Sequence, residues 1–140
     1  MIETQISEIL TKYDFISNIL LFGSYAAGKN SYLSDIDIAI HTTKELELLE
    51  LGSLISLLES TLDIKVDLVI LNELYKKSPL LAYNIYQSHK IISIRDKKRY
   101  REFKSNALHY YMDFKPVLEA QNRAFLKRIE DGTLAKIKTA

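Results

Sequence analysis

The 140-residue chain contains no cysteine, which excludes disulfides and thiolate metal sites and is compatible with a reducing compartment. It also lacks an excess of charge of either sign. Nineteen basic residues stand against 18 acidic ones, and the formal net charge of +1 creates no broad electropositive field for a nucleic-acid backbone. Direct nucleic-acid binding is therefore not expected. Long apolar runs are missing as well, because charge breaks every hydrophobic stretch before it reaches the roughly 20 residues that span a bilayer. Acidic Glu3 sits early and no basic segment precedes an apolar one, so the N-terminus does not read as a secretion signal. Membrane association is not expected, and the cytoplasm is the expected address.

What the chain does have is 47% hydrophobic residues, enough for one packed core. The expectation is one domain over residues 1–140, with a core at 1–94, C-terminal helices at 95–132 and a frayed tail at 133–140. Apolar spacing predicts a helix over residues 2–13, carrying Ile2, Ile6, Ile9, Leu10 and Tyr13. After a polar break that ends at Asn18, the continuous run Ile19-Leu20-Leu21-Phe22 suits a strand buried on both faces. Gly23 breaks this strand, and a brief helical piece closes at Gly28.

From Asp35 the period becomes two. Asp35, Asp37, Ala39 and His41 share one face, and Ile36, Ile38 and Ile40 the other. Residues 44–62 return to a helical period with a stripe of Leu48, Leu51, Ile55, Leu58 and Leu62, capped by Thr42 or Thr43. A strand at 64–70 then places Ile64, Val66, Leu68 and Ile70 on one face and Lys65, Asp67 and Val69 on the other. Residues 72–77 form a turn or a single helical turn. Pro79 opens a helix over 79–88, and 90–94 is a short edge strand. A helix over 96–114 should end or kink at Pro116, which lacks an amide donor, and a last helix should cover about 117–130. The fold class is α/β (α+β): a small mixed sheet of about four strands flanked by helices.

One constellation carries chemistry. Gly23 and Ser24 stand at a strand-to-helix turn, where free amides and the helix dipole favour anionic oxygen. Ten residues later come Asp35 and Asp37, on one strand face and about 6–7 Å apart at Cα. Magnesium takes oxygen ligands from one or two carboxylates plus substrate phosphates, and two such ions can clamp an in-line displacement. Asp67 could complete the inner metal site and accept a proton, although Lys65 and Asp67 could equally line a wet sheet face. A Gly-Ser pair or an Asp-x-Asp alone carries little weight. Their joint placement across a strand, a turn and a second strand carries much more.

Gly23-Ser24, Asp35-Ile36-Asp37 and the later Asp67 together resemble the nucleotidyltransferase superfamily that includes DNA polymerase beta and kanamycin nucleotidyltransferase. The chain as a whole, through Ser78-Pro79-Leu80-Leu81-Ala82-Tyr83 and Asp113-Phe114-Lys115-Pro116, is similar to the minimal nucleotidyltransferase antitoxins of the MntA family. That resemblance implies a nucleotidyltransferase fold, ATP as substrate and two Mg2+ ions. It also implies a hetero-oligomeric partner, a HEPN-domain ribonuclease toxin of the HepT type, one of whose tyrosines receives AMP and is silenced. By position, Ser24 matches the phosphate-binding serine, and Asp35, Asp37 and Asp67 match the metal-binding and catalytic carboxylates. Many relatives are basic where this chain has Ala27, so Lys29 is the expected replacement for that phosphate contact. Other readings are transfer to a small-molecule hydroxyl, as on an aminoglycoside, and an antitoxin that only binds.

The remaining candidates read as structural. His41 is expected at the surface, with a substrate contact as the alternative. His89 and His109 show no ligand spacing. The basic run at 95–101 is expected to be a solvated helix start, with a role facing the toxin or ATP as the alternative. Adjacent Tyr110 and Tyr111 cannot both face one core, so the C-terminal helices, with Tyr111 and Phe125, are expected to help dock the partner.

Overall fold

The computed structural model describes residues 2–30 and 34–131. The elements run α1 (Ile2–Leu10), β1 (Ile16–Phe22), α2 (Gly23–Ala26), β2 (Ile36–Thr42), α3 (Leu48–Leu62), β3 (Val66–Ile70), α4 (Leu74–Lys77), α5 (Pro79–Gln87), β4 (His89–Ile94) and α6 (Lys97–Glu130). The strands form one sheet in the order β3-β2-β1-β4. β1 pairs antiparallel with both β2 and β4, whereas β2 and β3 are parallel and joined across α3. β4 is an edge strand, as its shortness suggests. Among the described residues no helix is long and apolar enough to cross a membrane.

Strand alternation sorts the core into two layers. On one face Ile36, Ile38 and Ile40 of β2 and Val66 and Leu68 of β3 pack against Ile6 and Leu10 of α1 and Leu54 and Leu58 of α3. On the other, Leu20, Phe22 and Ala39 meet Leu74 of α4, Ala82 and Ile85 of α5, and Phe103 and Ala107 of α6. All seven residues of β1 are buried, the sandwiched state that its continuous apolar run predicts. Each fully buried Ile or Leu in these layers contributes about 1.5–3 kcal/mol.

Four details depart from the sequence expectations. β1 begins at Ile16 and takes in Asn18, whose amide is fully buried rather than part of a polar break. Thr42 and Thr43 do not cap α3: the helix starts at Leu48 behind Glu47, whose N–H donates to Glu50 Oε1 at 3.2 Å. Leu48 is consequently in the first turn and 84% exposed; the rest of the expected stripe, Leu51, Ile55, Leu58 and Leu62, does pack on the core, joined by buried Leu54.

The last departure is at Pro116, which neither ends the helix nor divides it, since α6 is a single 34-residue element. From Glu119 to Asp131 every residue of α6 and its cap is exposed, and Met112, whose carbonyl loses its i+4 amide donor to Pro116, is also exposed. Water can satisfy that carbonyl, which lowers the cost of a proline inside the helix. The expected frayed tail at 133–140 lies outside the described residues.

Candidate functional site

Parallel pairing of β2 with β3 puts Asp37 directly opposite Asp67, one strand spacing of about 4.8 Å away. Asp67 is exposed and Asp37 half-buried, both on the sheet face that α3 does not cover. Asp35 precedes β2 and is exposed. The Asp37 carboxyl is held above the usual carboxylate range, first by desolvation and then by the negative charges of Asp67 and Asp35. The sheet therefore gathers three like charges, two of which act directly on Asp37. Among the described residues no three such side chains close into a ready-made metal cage.

The Gly23-Ser24 turn sits against this group. In the β1–β2 register Phe22 is opposite Asp37, so the residue after Phe22 passes over the carboxylate. A Cβ at Gly23 would lie 2.1 Å from Asp37 Oδ2, and the backbone there has φ +73°, a left-handed conformation that side chains disfavour. Glycine is thus required twice. The turn is closed by Ala27 N–H donating to Gly23 O at 3.1 Å and Lys29 N–H to Ser24 O at 2.9 Å. α2 is only four residues long, so its dipole is small. What it offers an anion is its first-turn amides, which have no intrahelical acceptor, and the Ser24 hydroxyl, which makes no hydrogen bond among the described residues. Lys29 and Ala27 are both exposed at the end of the turn.

At the other end of β2 the polar residues are tied down. Asn18 Oδ1 accepts the backbone N–H of Arg95 at 3.1 Å and of Asp96 at 3.0 Å, which fixes the orientation of its amide. Its Nδ2 must then donate, to Asp96 O at 3.0 Å and His41 Nδ1 at 3.0 Å. His41 is accordingly neutral with its proton on Nε2. Burial and the nearby Arg99 lower its pKa to about 4, against a smaller raising effect of Asp96. The imidazole is 4% exposed and meets the Phe103 ring edge-on, so the expectation of a surface histidine is corrected. Arg99 Nη1 donates to Thr42 O at 2.7 Å, and Arg95 Nη2 donates to Thr11 O at 2.6 Å. Two residues of the basic run thus act as internal ties rather than as a solvated helix start.

Asn72, which sequence reasoning passed over, holds Thr42 through three hydrogen bonds, with Thr42 N–H donating to its Oδ1 and its Nδ2 donating to Thr42 O and Oγ1. The signal for it was its place just after β3, level with the polar end of β2. The paired tyrosines diverge to different neighbours: Tyr110 meets Tyr75 of α4 at 4.8 Å, and Tyr111 stacks on Tyr83 of α5 at 3.7 Å. Successive helix positions point about 100° apart, and helices on two sides of α6 receive both rings. Tyr111 is therefore not a free docking residue.

The chain is similar to known proteins in both fold and sequence. A chain from a toxin–antitoxin complex solved with AMP-PNP superposes with a TM-score of 0.72 at 27% identity, over 91% of this chain and 98% of that one. A chain from the complex of a tri-AMPylated Shewanella oneidensis HEPN toxin with its MNT antitoxin gives a TM-score of 0.67 at 25% identity, over 92% and 96%. In sequence, a Methanocaldococcus jannaschii protein named as a candidate protein adenylyltransferase is 40% identical over 68 residues, 49% of this chain and 68% of that one. A second protein so named from that organism is 36% identical over 78 residues, 51% of this chain and 91% of its own. The family model described as polymerase beta, nucleotidyltransferase matches residues 4–98, more than half of the sequence, and the chain belongs to that family.

Proposed function

We propose that this protein is an antitoxin that transfers AMP from ATP to a tyrosine of a HEPN-domain ribonuclease partner and thereby neutralises it. The observation that carries the reading is the pairing of Asp37 with Asp67 under the Gly23-Ser24 turn, with Asp35 adding to the same negative field. Such a group is at odds with itself until a cation enters, and its all-oxygen donor set fits Mg2+. Asp35, Asp37 and Asp67 would hold two ions, which when bound neutralise the phosphate charge that develops during transfer. Gly23 and Ser24 bind and orient the triphosphate, and Lys29 stands at the open end of the turn for a further phosphate contact.

The acceptor hydroxyl attacks the α-phosphorus of ATP. The new oxygen–phosphorus bond forms as the bond to the bridging oxygen breaks, and pyrophosphate departs. Asp67, exposed on the shared face, takes the hydroxyl proton. Catalysis by this chain is then positioning plus charge compensation. The solvent-facing half of α6, with Val117, Phe125, Leu126 and Ile129 exposed, supports a role for that helix in holding the partner.

The test uses the purified partner with ATP and magnesium, followed by intact mass. One or more AMP additions with the wild type and none with Asp35→Asn/Asp37→Asn is the expected result. A double variant that still neutralises the partner without a mass change would instead leave an antitoxin that only binds. AMP transfer to a small hydroxyl compound and never to the partner would indicate a small-molecule transferase. Phe125→Glu should weaken partner binding while leaving the fold, read by circular dichroism, unchanged.

A further inference from the structure

A sizeable cavity among the described residues lies away from the carboxylates. It has a volume of about 570 Å3 and opens beyond the far end of β2 and β3, between the loop that follows Thr42 and the start of α4. Asp37 and Thr42 are five strand steps apart, about 17 Å. Its apolar wall, Leu46, Leu51 and Ile70, packs against the core layer on the α1/α3 face, opposite the face that carries Asp37 and Asp67. A triphosphate held at Gly23-Ser24 is therefore not the natural occupant.

Its charges do not cancel. Of the ionised residues lining it, Lys44 is neutralised by Glu50 at 2.7 Å, and Glu73 is paired with Lys76 at 3.6 Å. Lys77 and Arg99 have no carboxylate partner among the described residues, and Glu45 alone stands against them. Arg99 is pre-positioned: its Nη1 is fixed on Thr42 O, and its backbone N–H is capped by Asp96 Oδ1 at 3.0 Å. Asn72 fixes Thr42 from the other side, so the polar floor exists before any ligand arrives. A cavity in the size range of small-molecule sites, with an apolar wall and a net positive lining in which Lys77 and Arg99 outnumber Glu45, recognises a small molecule that has an apolar body and an anionic head.

We propose that this cavity is a second ligand site, distinct from the transfer site, for a small organic anion whose phosphate or carboxylate lies between Lys77 and Arg99 and whose apolar body rests on Leu46, Leu51 and Ile70. An adjoining smaller cavity shares Asn72, Glu73 and Arg99 with it and reaches His41 and Glu102. The site therefore has an internal reporter. His41 faces Asn18 of β1 and Arg99, Asp96, Glu102 and Phe103 from the α6 side, and Arg99 is the charge that helps to lower its pKa. An anion on Arg99 offsets that charge.

The probe is phenyl phosphate, titrated into the full chain in EDTA so that no divalent cation can recruit it to the carboxylates, and followed by amide and imidazole NMR. Saturable shifts at Thr42, Thr43 and Asn72 are expected, with a rise in the His41 imidazole pKa. Lys77→Ala, an exposed position that leaves the floor intact, should weaken binding roughly fivefold. Asp35→Asn/Asp37→Asn should bind as the wild type does, which keeps this test independent of the transferase reading. Shifts confined to Ser24 and its neighbours, no saturable shifts, or unchanged affinity in Lys77→Ala would each overturn the proposal. Phenol alone and inorganic phosphate alone should each bind more weakly than phenyl phosphate, and equal affinity for either would remove the two-part recognition.

Discussion

The two ends of β2 obey opposite rules. At its start, Asp37 lies beside Asp67 and within the field of Asp35, so that like charges crowd each other and the carboxyl of Asp37 is pushed up. At its end, Asn18, His41, Thr42, Asn72 and Arg99 satisfy one another, and no buried side-chain polar atom among the described residues lacks a partner. One strand thus carries a region whose carboxylates repel one another until a cation enters and a region whose side chains are already tied together. At the first end like charge is left uncompensated, whereas at the second hydrogen bonds hold the β4–α6 junction to the sheet and set a rigid floor before any ligand arrives.

The sharpest way to break the comparison is Asp37→Asn. Removing that carboxylate should cost about a thousandfold or more in AMP transfer. It should not lower the thermal midpoint of the metal-free protein, because it relieves repulsion rather than removing a tie. Added magnesium should raise the midpoint of the wild type and leave the variant unmoved. A variant that is markedly less stable without metal would mean that Asp37 is structural, and the contrast between the two ends would fail.

Gly23→Ala ranks next. A methyl group 2.1 Å from Asp37 Oδ2 cannot be accommodated without displacing the turn or the carboxylate. The φ of +73° adds a backbone cost of about 1–2 kcal/mol. Transfer should fall by about a hundredfold, the scale of misplacing reacting groups by an ångström. Activity within a few-fold of wild type, in a protein whose midpoint has also barely moved, would show that the turn does not need to touch the carboxylate.

Much of the open end was legible in the sequence. Alternation over residues 35–41 and 64–70 assigned Asp37 and Asp67 to one face each, and the interrupted run at Gly23 marked the turn. The chain could not say from pattern alone that β2 and β3 pair in parallel with Asp37 level with Asp67, because register is set by the crossover through α3. The closed end was largely illegible for a related reason. Asn18, His41 and Arg99 are 23 and 58 positions apart in sequence, and a buried polar residue looks like a surface one until its partners are known. The same blindness divided α6 into two helices at Pro116: a break there assumes that the freed carbonyl is costly, and on an exposed stretch of α6 it is not.

Asn18→Ala tests the closed end. The substitution strands the N–H of Asp96, the carbonyl of Asp96 and the Nδ1 of His41, while the N–H of Arg95 keeps only its bond to Ser17 O. The expected destabilisation is about 2–3 kcal/mol by chemical denaturation. Turnover should stay close to wild type where the variant is still folded, because nothing at the carboxylates has changed. A hundredfold loss of activity in folded Asn18→Ala would join the two ends into one functional unit.

The smallest effect near neutral pH is that of protonation, and its sign follows from His41. The imidazole has a pKa of about 4 in the folded chain against 6.5 as its reference value, so the unfolded chain binds the proton first. Stability is therefore unaffected above pH 6.5, falls as the pH drops through that value, and stops falling near pH 4. The loss is about 1 kcal/mol by roughly pH 5.5 and about 3 kcal/mol in all. Asp37 acts in the opposite direction, because a raised carboxyl pKa favours the folded state at low pH and loses that advantage as pH rises through the folded value. The two are separated by measuring urea stability against pH in the Asp37→Asn background, with and without His41→Gln. The steep fall between pH 6.5 and 4 should flatten when the imidazole is replaced. Equal slopes would mean that the buried histidine is not the group that weakens the closed end in acid.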